Sequence, residues 1–147
     1  MKIKELMTQP VITVPESASL EEAARSMLEN GIGGLPVIDP SGKLTGIVTE
    51  SNFAAKDAGI PFSTFRAPKL LGRWLSEAGI DKIYSEARNT PVKDIMTKDV
   101  VCVSVDDPLS RAVELMLAHD INRVPVVENG VPIGIVARRD LLKLLTK

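Results

Sequence analysis

Residues 35–48 read LPVIDPSGKLTGIV, and residues 124–136 read VPVVENGVPIGIV. In both copies a β-branched run, a turn sequence and a second β-branched run follow one another. The turns are Asp39-Pro40-Ser41-Gly42 and Glu128-Asn129-Gly130, and such sequences join the two strands of a β-hairpin. The second turn is one residue shorter, so the copies lie 89 residues apart before it and 88 after it. Two copies of one hairpin predict two similar structural units in this chain.

The repeat extends on both sides of the hairpin. Upstream, each copy has a short β-branched run, which predicts a buried strand, and then apolar residues at helical spacing. The strands are expected at Val11–Val14 and Val100–Val103, and the apolar helix faces at Leu20, Ala23, Ala24, Met27 and Leu28 and at Leu109, Ala112, Val113, Met116 and Leu117. A last helix is expected from Glu50 to about Lys56 and from Arg138 to about Leu145. This is an α+β fold with two β-α-β-β-α repeats related by pseudo-two-fold symmetry.

Local signals predict where the first helix of each repeat begins and ends. Ser19 and Glu22 have the spacing of a capping box, and Gly31 is a typical residue just after the end of a helix. In the second repeat, Asp107 is placed to cap a helix whose first residue is Pro108. These signals predict similar helices at equivalent places in the two repeats.

A segment without a counterpart separates the repeats. We therefore divide the chain into a first repeat at residues 1–56, a connecting arm at 57–90 and a second repeat at 91–147. Within the arm, Lys69–Ala78 and Asp81–Arg88 are candidates for short helices, and the first of them carries an apolar stripe. The stripe predicts an arm that packs on the repeats, and a surface that docks a partner or a second subunit is the alternative.

The composition argues against several classes of function. The net charge is −1, and there are only three Phe, one Tyr and one Trp, so a nucleic-acid partner is not expected. No apolar run is long enough to span a bilayer and no signal peptide is recognisable, which predicts a cytoplasmic protein without membrane contact. With one Cys and one His, neither a metal site nor a catalytic triad is predicted. Cys102 is on a predicted buried strand, where we expect a small hydrophobic residue.

The two repeats resemble the cystathionine-β-synthase (CBS) domain, which occurs in tandem as a regulatory pair. The resemblance rests on Met-Thr at 7–8 and 96–97, on the Pro-Val strands, and on Gly-Ile-Val at 46–48 and 134–136, in the same order and spacing. It covers residues 3–56 and 91–146. It implies a free-standing regulatory module that forms a homodimer. Its ligand would be AMP, ADP, ATP or S-adenosylmethionine, with Mg²⁺ as a companion of the phosphates, bound between the repeats.

The resemblance also implies which residues would form two clefts. In the family, a Gly-h-h-(Thr/Ser)-x-x-Asp motif, where h is apolar, supplies the ribose carboxylate. The stretch before the strand Pro of the other repeat supplies partners for the base. The second motif keeps the Asp but has Ala for Thr, and the favoured cleft would consist of Ala137, Arg138, Arg139, Asp140, Thr13, Ile32, Gly33, Gly34 and Leu35. The first motif keeps the Thr but has Asn for Asp, and the weaker cleft would consist of Thr49, Asn52, Ile121, Asn122, Arg123 and Val124. The arginines would meet phosphates.

Two functions are compatible with these residues. A regulatory module would bind the adenosyl ligand without chemical turnover and pass its state to a protein partner. An interaction or dimerisation scaffold with degenerate clefts is the alternative, because each cleft lacks one residue of the motif. An enzyme is not expected, because the sequence has no nucleophile–base pair, no metal-ligand cluster and no phosphate loop of the Walker type.

Overall fold

The structure is a computed structural model, and it describes residues 1–53, 81–82, 84–85 and 87–146. The strands and α-helices are β1 Val14–Pro15, α1 Leu20–Asn30, β2 Gly34–Ile38, β3 Leu44–Thr49, α2 Leu109–His119, β4 Arg123–Glu128 and β5 Val131–Ala137. Short 3-10 helices are at Ile3–Glu5, Glu50–Phe53, Val92–Asp94 and Arg138–Leu145. The α+β class is therefore confirmed. The arm helix predicted at Lys69–Ala78 lies outside the described residues, whereas the described residues from 81 to 87 are helical.

Both predicted hairpins are present, and each pairs in the expected antiparallel register. Leu35 lies opposite Val48 in the first hairpin, and Val124 lies opposite Val136 in the second. β1 adds to the first hairpin as a parallel strand and makes a three-stranded sheet in the order β1-β2-β3. The second hairpin forms a sheet of two strands, β4 and β5. The two sheets thus share the antiparallel hairpin and differ in the added parallel strand.

The turns of the hairpins form as their sequences predict. In the first turn, Oδ1 of Asp39 accepts hydrogen bonds from the backbone N–H groups of Ser41 at 2.9 Å and Lys43 at 3.0 Å. In the second turn, Asn129 and Gly130 have φ angles of 53° and 81°. These left-handed conformations are the ones that a two-residue hairpin turn requires, and Asn and Gly adopt them at the lowest cost.

The predicted limits of α1 are confirmed at both ends. Oγ of Ser19 accepts a hydrogen bond of 3.1 Å from the backbone N–H of Glu22, as a capping residue does. Gly31 follows the last residue with a φ of 61°, and its N–H donates to the carbonyl of Leu28. A left-handed residue at this place satisfies carbonyls at the end of a helix.

The prediction for the start of α2 is wrong. The helix begins at Leu109, one residue later than expected, so Pro108 stands at the capping position and offers no side-chain hydrogen bond. The Asp107 carboxylate instead accepts a 2.9 Å hydrogen bond from the backbone N–H of Ser104 and closes the preceding turn. Asp side chains favour such local turns, which compete with a capping role.

The strands predicted at Val11–Val14 and Val100–Val103 are much shorter than expected. β1 begins only at Val14, and in the second repeat Val103 alone bridges to β4. Cys102, which we expected to be buried, is exposed. A β-branched run favours extended backbone, but a strand also needs a neighbour along its whole length, and sequence composition does not report that neighbour.

The helix faces are narrower than the apolar pattern indicates. Leu20, Ala23 and Met27 are buried in α1, but Leu28 is 83% exposed and its counterpart Leu117 in α2 is 75% exposed. At 100° per residue, the position eight residues after the first lies about 80° away from it around the helix axis. Both leucines therefore lie beside the buried stripe rather than on it.

The last helix of the second repeat is a 3-10 helix rather than an α-helix, and so is the described part of its counterpart in the first repeat. The second extends from Arg138 to Leu145, and the first is described only from Glu50 to Phe53. In Arg138–Leu145 the only buried residue is Asp140, while Leu142 and Leu145 are 63% and 83% exposed. With so little burial, packing does not select the α-helical form over the tighter turn.

Each hydrophobic core is closed by a segment from the other repeat. We call residues 2–8 and 91–97 the leading segments, because each precedes the first strand of its own repeat. Ile3 and Leu6 are buried in the core that contains α2, β4 and β5. Val92 is buried in the core that contains α1, β2 and β3, and Met96 packs against that core. Each core therefore contains residues of both repeats. The division of the chain at residues 1–56, 57–90 and 91–147 remains a prediction.

Backbone hydrogen bonds hold both leading segments in these exchanged positions. The backbone of Thr8 exchanges hydrogen bonds with Ile135 of β5, at 2.8 and 3.2 Å. The backbone of Thr97 does the same with Ile47 of β3, at 2.9 and 3.0 Å. Each hairpin thus acquires an isolated antiparallel bridge from the other repeat.

Two glycines make room for the methionines of the leading segments. A Cβ atom at Gly46 would lie 2.5 Å from Sδ of Met96, and a Cβ atom at Gly134 would lie 2.7 Å from Sδ of Met7. Real side chains do not approach so closely, so a larger residue at either glycine would displace the methionine. The Met-Thr motif of each repeat therefore packs against the Gly-Ile-Val motif of the other repeat.

We expect Ile3→Ala to lower the free energy of unfolding by about 2–5 kcal/mol, as for other buried isoleucines. Ile3 is fully buried although it is the third residue of the chain. The matched control is Ile12→Ala, because Ile12 is 37% exposed and should cost less. Urea unfolding of both variants gives the comparison. Equal losses would mean that the leading segment is not part of the second core.

Candidate functional site

Asp140 is buried at the point where β5 ends and the last 3-10 helix begins. Its Oδ2 accepts a 2.8 Å hydrogen bond from the backbone N–H of Ala137, and its Oδ1 accepts one of 3.2 Å from the hydroxyl of Thr8. Nζ of Lys143 lies 2.9 Å from the same Oδ1. The residue is only 5% exposed, and its carboxylate joins the motif of the second repeat to the leading segment of the first.

Asn52 has the equivalent place in the first repeat. Its Oδ1 accepts a 2.8 Å hydrogen bond from the backbone N–H of Thr49. Its amide nitrogen donates to the carbonyl of Ile95 at 3.2 Å and to the hydroxyl of Thr97 at 3.4 Å. The Asn therefore replaces the Asp without losing the contact to the exchanged leading segment, because an amide can accept from one neighbour and donate to the next.

The first residues of β2 and β4 meet across the boundary between the repeats. A Cβ atom at Gly33 would collide with the guanidinium of Arg123 and would lie 2.8 Å from Oε1 of Glu50. A Cβ atom at Gly34 would lie 2.9 Å from Cδ of Arg123 and 3.1 Å from Cγ2 of Thr49. The two glycines thus form a gap without side chains that the Arg123 side chain of the other repeat occupies. Among the described residues, that guanidinium has no ion pair.

The corresponding residues of the second repeat carry two arginines. The backbone N–H of Arg138 donates 2.8 Å to the carbonyl of Asn122, just as the N–H of Glu50 donates 3.0 Å to the carbonyl of Gly33. Arg138 and Arg139 are both exposed. Within the described part of the chain neither guanidinium forms an ion pair. Arg138 and Arg139 are the two residues immediately before Asp140 in the sequence.

The other predicted cleft residues contribute in different ways. Leu35 and Val124 are fully buried in the two cores, so only their backbone groups could face a ligand. Ile32 and Ile121 are half-buried beside these strands, and Thr13 is half-buried just before β1. The contacts in the structure join Gly33 and Gly34 to Arg123, Thr49 and Glu50. The assignment of these glycines to a cleft with Asp140 remains a prediction.

Sequence reasoning missed three features of this region. It did not connect Thr8 with Asp140 or Thr97 with Asn52, because nothing in one sequence pairs residues so far apart. It also missed Glu50, although a position-by-position comparison of the two motifs aligns Glu50 with Arg138 and shows the reversal of charge.

Other kinds of site find little support in the described residues. Partial burial raises the pKa of the Cys102 thiol, which disfavours the reactive thiolate. In the part of the chain that the structure describes, no three His, Cys, Asp or Glu residues come together as a metal site would require. A groove of about 470 Å³ lies between α1 and residues 84–88, with Leu20, Leu28 and Phe53 in its walls. None of the predicted ligand residues lines it.

We expect Asp140→Ala to lower the free energy of unfolding by about 1–3 kcal/mol, because it leaves the half-buried N–H of Ala137 and the hydroxyl of Thr8 without their acceptor. Asp140→Asn should cost less, since Asn52 makes the equivalent bond to Thr49 with an amide oxygen. The control is Asp106→Ala, whose ion pairs with Lys2 and Lys4 are exposed and contribute little. Thermal and urea unfolding measure all three. A loss for Asp140→Ala no greater than that of the control would contradict the role in joining the repeats.

Sequence relatives include proteins of very different length. The chain is 33% identical over 99% of its length to an uncharacterized protein of Methanocaldococcus jannaschii, MJ1426, and spans 91% of that protein. It is 35% identical to the inosine-5'-monophosphate dehydrogenase of the same organism, but spans only 23% of that enzyme. The second match therefore concerns a part of the enzyme.

Solved structures with the same fold are CBS domain pairs. The chain is 40% identical to the CBS domain of a membrane protein from Sphaerobacter thermophilus, with a TM-score of 0.75 over 98% of this chain and 87% of that one. It is 25% identical to the CBS domain pair of MJ0100 in complex with 5'-methylthioadenosine and S-adenosyl-L-methionine, with a TM-score of 0.72 over 99% and 96%. It is 26% identical to CBSX2, a protein of Arabidopsis thaliana, in complex with AMP, with a TM-score of 0.69 over 99% and 96%.

No helix in the described ranges is long and apolar enough to cross a membrane. The profile of the CBS domain matches the chain twice, at residues 3–59 and 92–147. These two matches include both hairpins, both motifs and both leading segments almost in full. The exchanged leading segments, the paired hairpins and the two motifs are thus parts of one tandem arrangement, and the chain belongs to the CBS domain family.

Proposed function

We propose that this chain is a regulatory module that binds an adenosyl ligand where its two repeats meet and does not transform it. The observation that carries the proposal is the gap at Gly33 and Gly34, which residues of both repeats line. A backbone without side chains lets a flat base approach closely. The CBS pairs of MJ0100 and CBSX2, which have the same fold, bind adenosyl ligands.

The residues around the gap and around Asp140 supply the groups that an adenosine requires. Thr49 offers a hydroxyl at the gap, and Arg138 and Arg139 are exposed cations of the kind that meets a phosphate. Of the two motifs, only the second has a carboxylate, Asp140, at the position that would meet the ribose. Its ion-pair partner Lys143 is exposed. A ribose diol would replace the hydroxyl of Thr8 as a donor to Asp140. Binding of this kind would act directly on a contact that joins the repeats.

The chemistry of the same residues supports a role without catalysis. A nucleophile needs a base beside it, and the one imidazole of the chain, His119, is exposed at the end of α2, far in sequence from the first motif and outside the second. The part of the chain that the structure describes has no metal-ligand cluster. We therefore propose signalling by binding alone, in the cytoplasm and toward a protein partner, with Mg²⁺ required only where a bound nucleotide carries it.

Homodimerisation is part of the proposal and has its own support. Leu28 and Leu117 occupy equivalent places on α1 and α2, and both are largely exposed. Large apolar side chains at symmetric positions are typical of a surface that a second subunit covers. A scaffold with degenerate clefts is the alternative function, and the ligand measurement below separates it from the sensor.

Saturating ligand should raise the midpoint of thermal unfolding. A ligand at about 100 times its dissociation constant adds about 2.7 kcal/mol to the stability of the native state. AMP, ADP, ATP and S-adenosylmethionine are compared with and without Mg²⁺. We expect a shift with at least one of them, which is lost in Asp140→Asn and kept in Asp106→Asn. If none shifts the midpoint, the scaffold replaces the sensor.

Charge on the exposed leucines should prevent dimer formation. We expect Leu28→Glu with Leu117→Glu to give a monomer, because a carboxylate buried in an apolar interface loses its hydration. Leu145→Glu is the matched control, since Leu145 is also 83% exposed but lies outside the helix pair. Sedimentation equilibrium gives the molecular mass of each. A dimer that survives the double substitution, or a wild-type monomer, would contradict the proposed interface.

A further inference from the structure

Two equivalent positions of the repeats carry opposite charges. The backbone of Glu50 bonds to the carbonyl of Gly33, and the backbone of Arg138 bonds to the carbonyl of Asn122. The same hydrogen bond thus fixes both residues at the end of a strand and beside the beginning of its neighbour. The next residues are Ser51 and Arg139. The two equivalent positions therefore share the same backbone hydrogen bond but carry side chains of opposite charge.

The position beside Glu50 is close to electrically balanced. We call it the Glu50 site and define it by Gly33, Gly34, Thr49, Glu50 and Arg123. The Glu50 carboxylate and the Arg123 guanidinium both lie over Gly33. A phosphate would have to compete with this carboxylate for the same guanidinium and would be repelled by it. A ligand group without negative charge meets no such opposition.

The position beside Arg138 is cationic. We call it the Arg138 site and define it by Asn122, Ala137, Arg138, Arg139 and Asp140. The negative charge of Asp140 is already matched by Lys143 at 2.9 Å. Both guanidiniums are exposed and, within the described ranges, without an ion pair. Guanidinium groups bind phosphate oxygens in pairs of parallel hydrogen bonds, so this site favours an anionic ligand.

We infer that the two sites sort adenosyl ligands by the charge of the 5' substituent. The Arg138 site takes a ligand with a 5'-phosphate, and the Glu50 site takes one whose 5' group is neutral or cationic. This inference rests on the proposed function, because it assigns a ligand class to each site of the same module. The chain would then respond to two ligands at once rather than to two copies of one.

Calorimetric titration with AMP and adenosine tests the sorting, because these probes differ only in the phosphate. The variants are Arg138→Gln with Arg139→Gln, and Glu50→Arg. Arg25→Gln with Arg111→Gln, and Glu114→Arg, are the controls with the same changes of net charge, since these residues are exposed on α1 and α2. All substituted residues are exposed, and thermal unfolding verifies that each variant folds.

The double arginine variant should bind AMP at least about tenfold more weakly, as expected for the loss of two cations near a phosphate, and should bind adenosine as before. Glu50→Arg should raise the number of AMP molecules per chain from one to two. Binding of AMP, but not of adenosine, should weaken as salt is added. The controls should match the wild type.

Two unwelcome outcomes are distinguishable. If AMP and adenosine bind but neither variant changes the AMP affinity or stoichiometry, the sorting is wrong and the proposed function stands. If neither probe binds to the wild-type chain and none of the other adenosyl ligands binds either, both the proposed function and the sorting are wrong.

Discussion

The exchange of the leading segments is the constraint on which the rest of this structure depends, and a hydrogen bond from a threonine of each segment to a motif side chain helps to hold it. Asp140 holds Thr8, and Asn52 holds Thr97. Asp140 and Asn52 are both buried, and hydrogen bonds to these side chains offset part of the cost of holding polar atoms where water has little access. Each bond also joins one repeat to the other, together with the backbone pairs of Thr8 and Thr97 and the apolar residues that each repeat buries in the core of the other. These contacts place the two hairpins side by side, with the gap at the glycines between the repeats.

Binding and stability share the same atoms in this arrangement. The residue that would meet a ribose also holds the leading segment, and the Arg123 side chain fills the space over Gly33 and Gly34 that a base would enter. A ligand would therefore replace internal interactions rather than fill an empty pocket. Affinity in such a site is the free energy of the new protein–ligand interactions minus that of the internal interactions they displace. Because the displaced interactions join the repeats, ligand binding can change how firmly the repeats are held together.

The parts of this fold that could be predicted from sequence are those that depend on neighbouring residues. Asn129-Gly130 requires a tight turn, and Ser19 with Gly31 marks the limits of α1, so both hairpins and this helix could be predicted from their local sequence. The parts that could not be predicted depend on residues that are distant in sequence. Nothing local shows that Ile3 belongs to the core of the second repeat, or that Val11 has no neighbouring strand. For the site, the motif positions were identified, but their partners Thr8 and Thr97 and the role of Glu50 required the structure.

The exchanged leading segments bear on how such a chain could arise from a shorter one. If a polypeptide with a single copy of the repeat kept its leading segment in the position seen here, that segment would leave its own core open and close the core of a second molecule. The stable product would be an intertwined pair of chains, formed only at sufficient concentration. Joining two copies in one gene turns that encounter into an intramolecular step with a high effective concentration. Once joined, the halves are free to diverge, and the opposite charges of Glu50 and Arg138 are a difference that two identical subunits could not have.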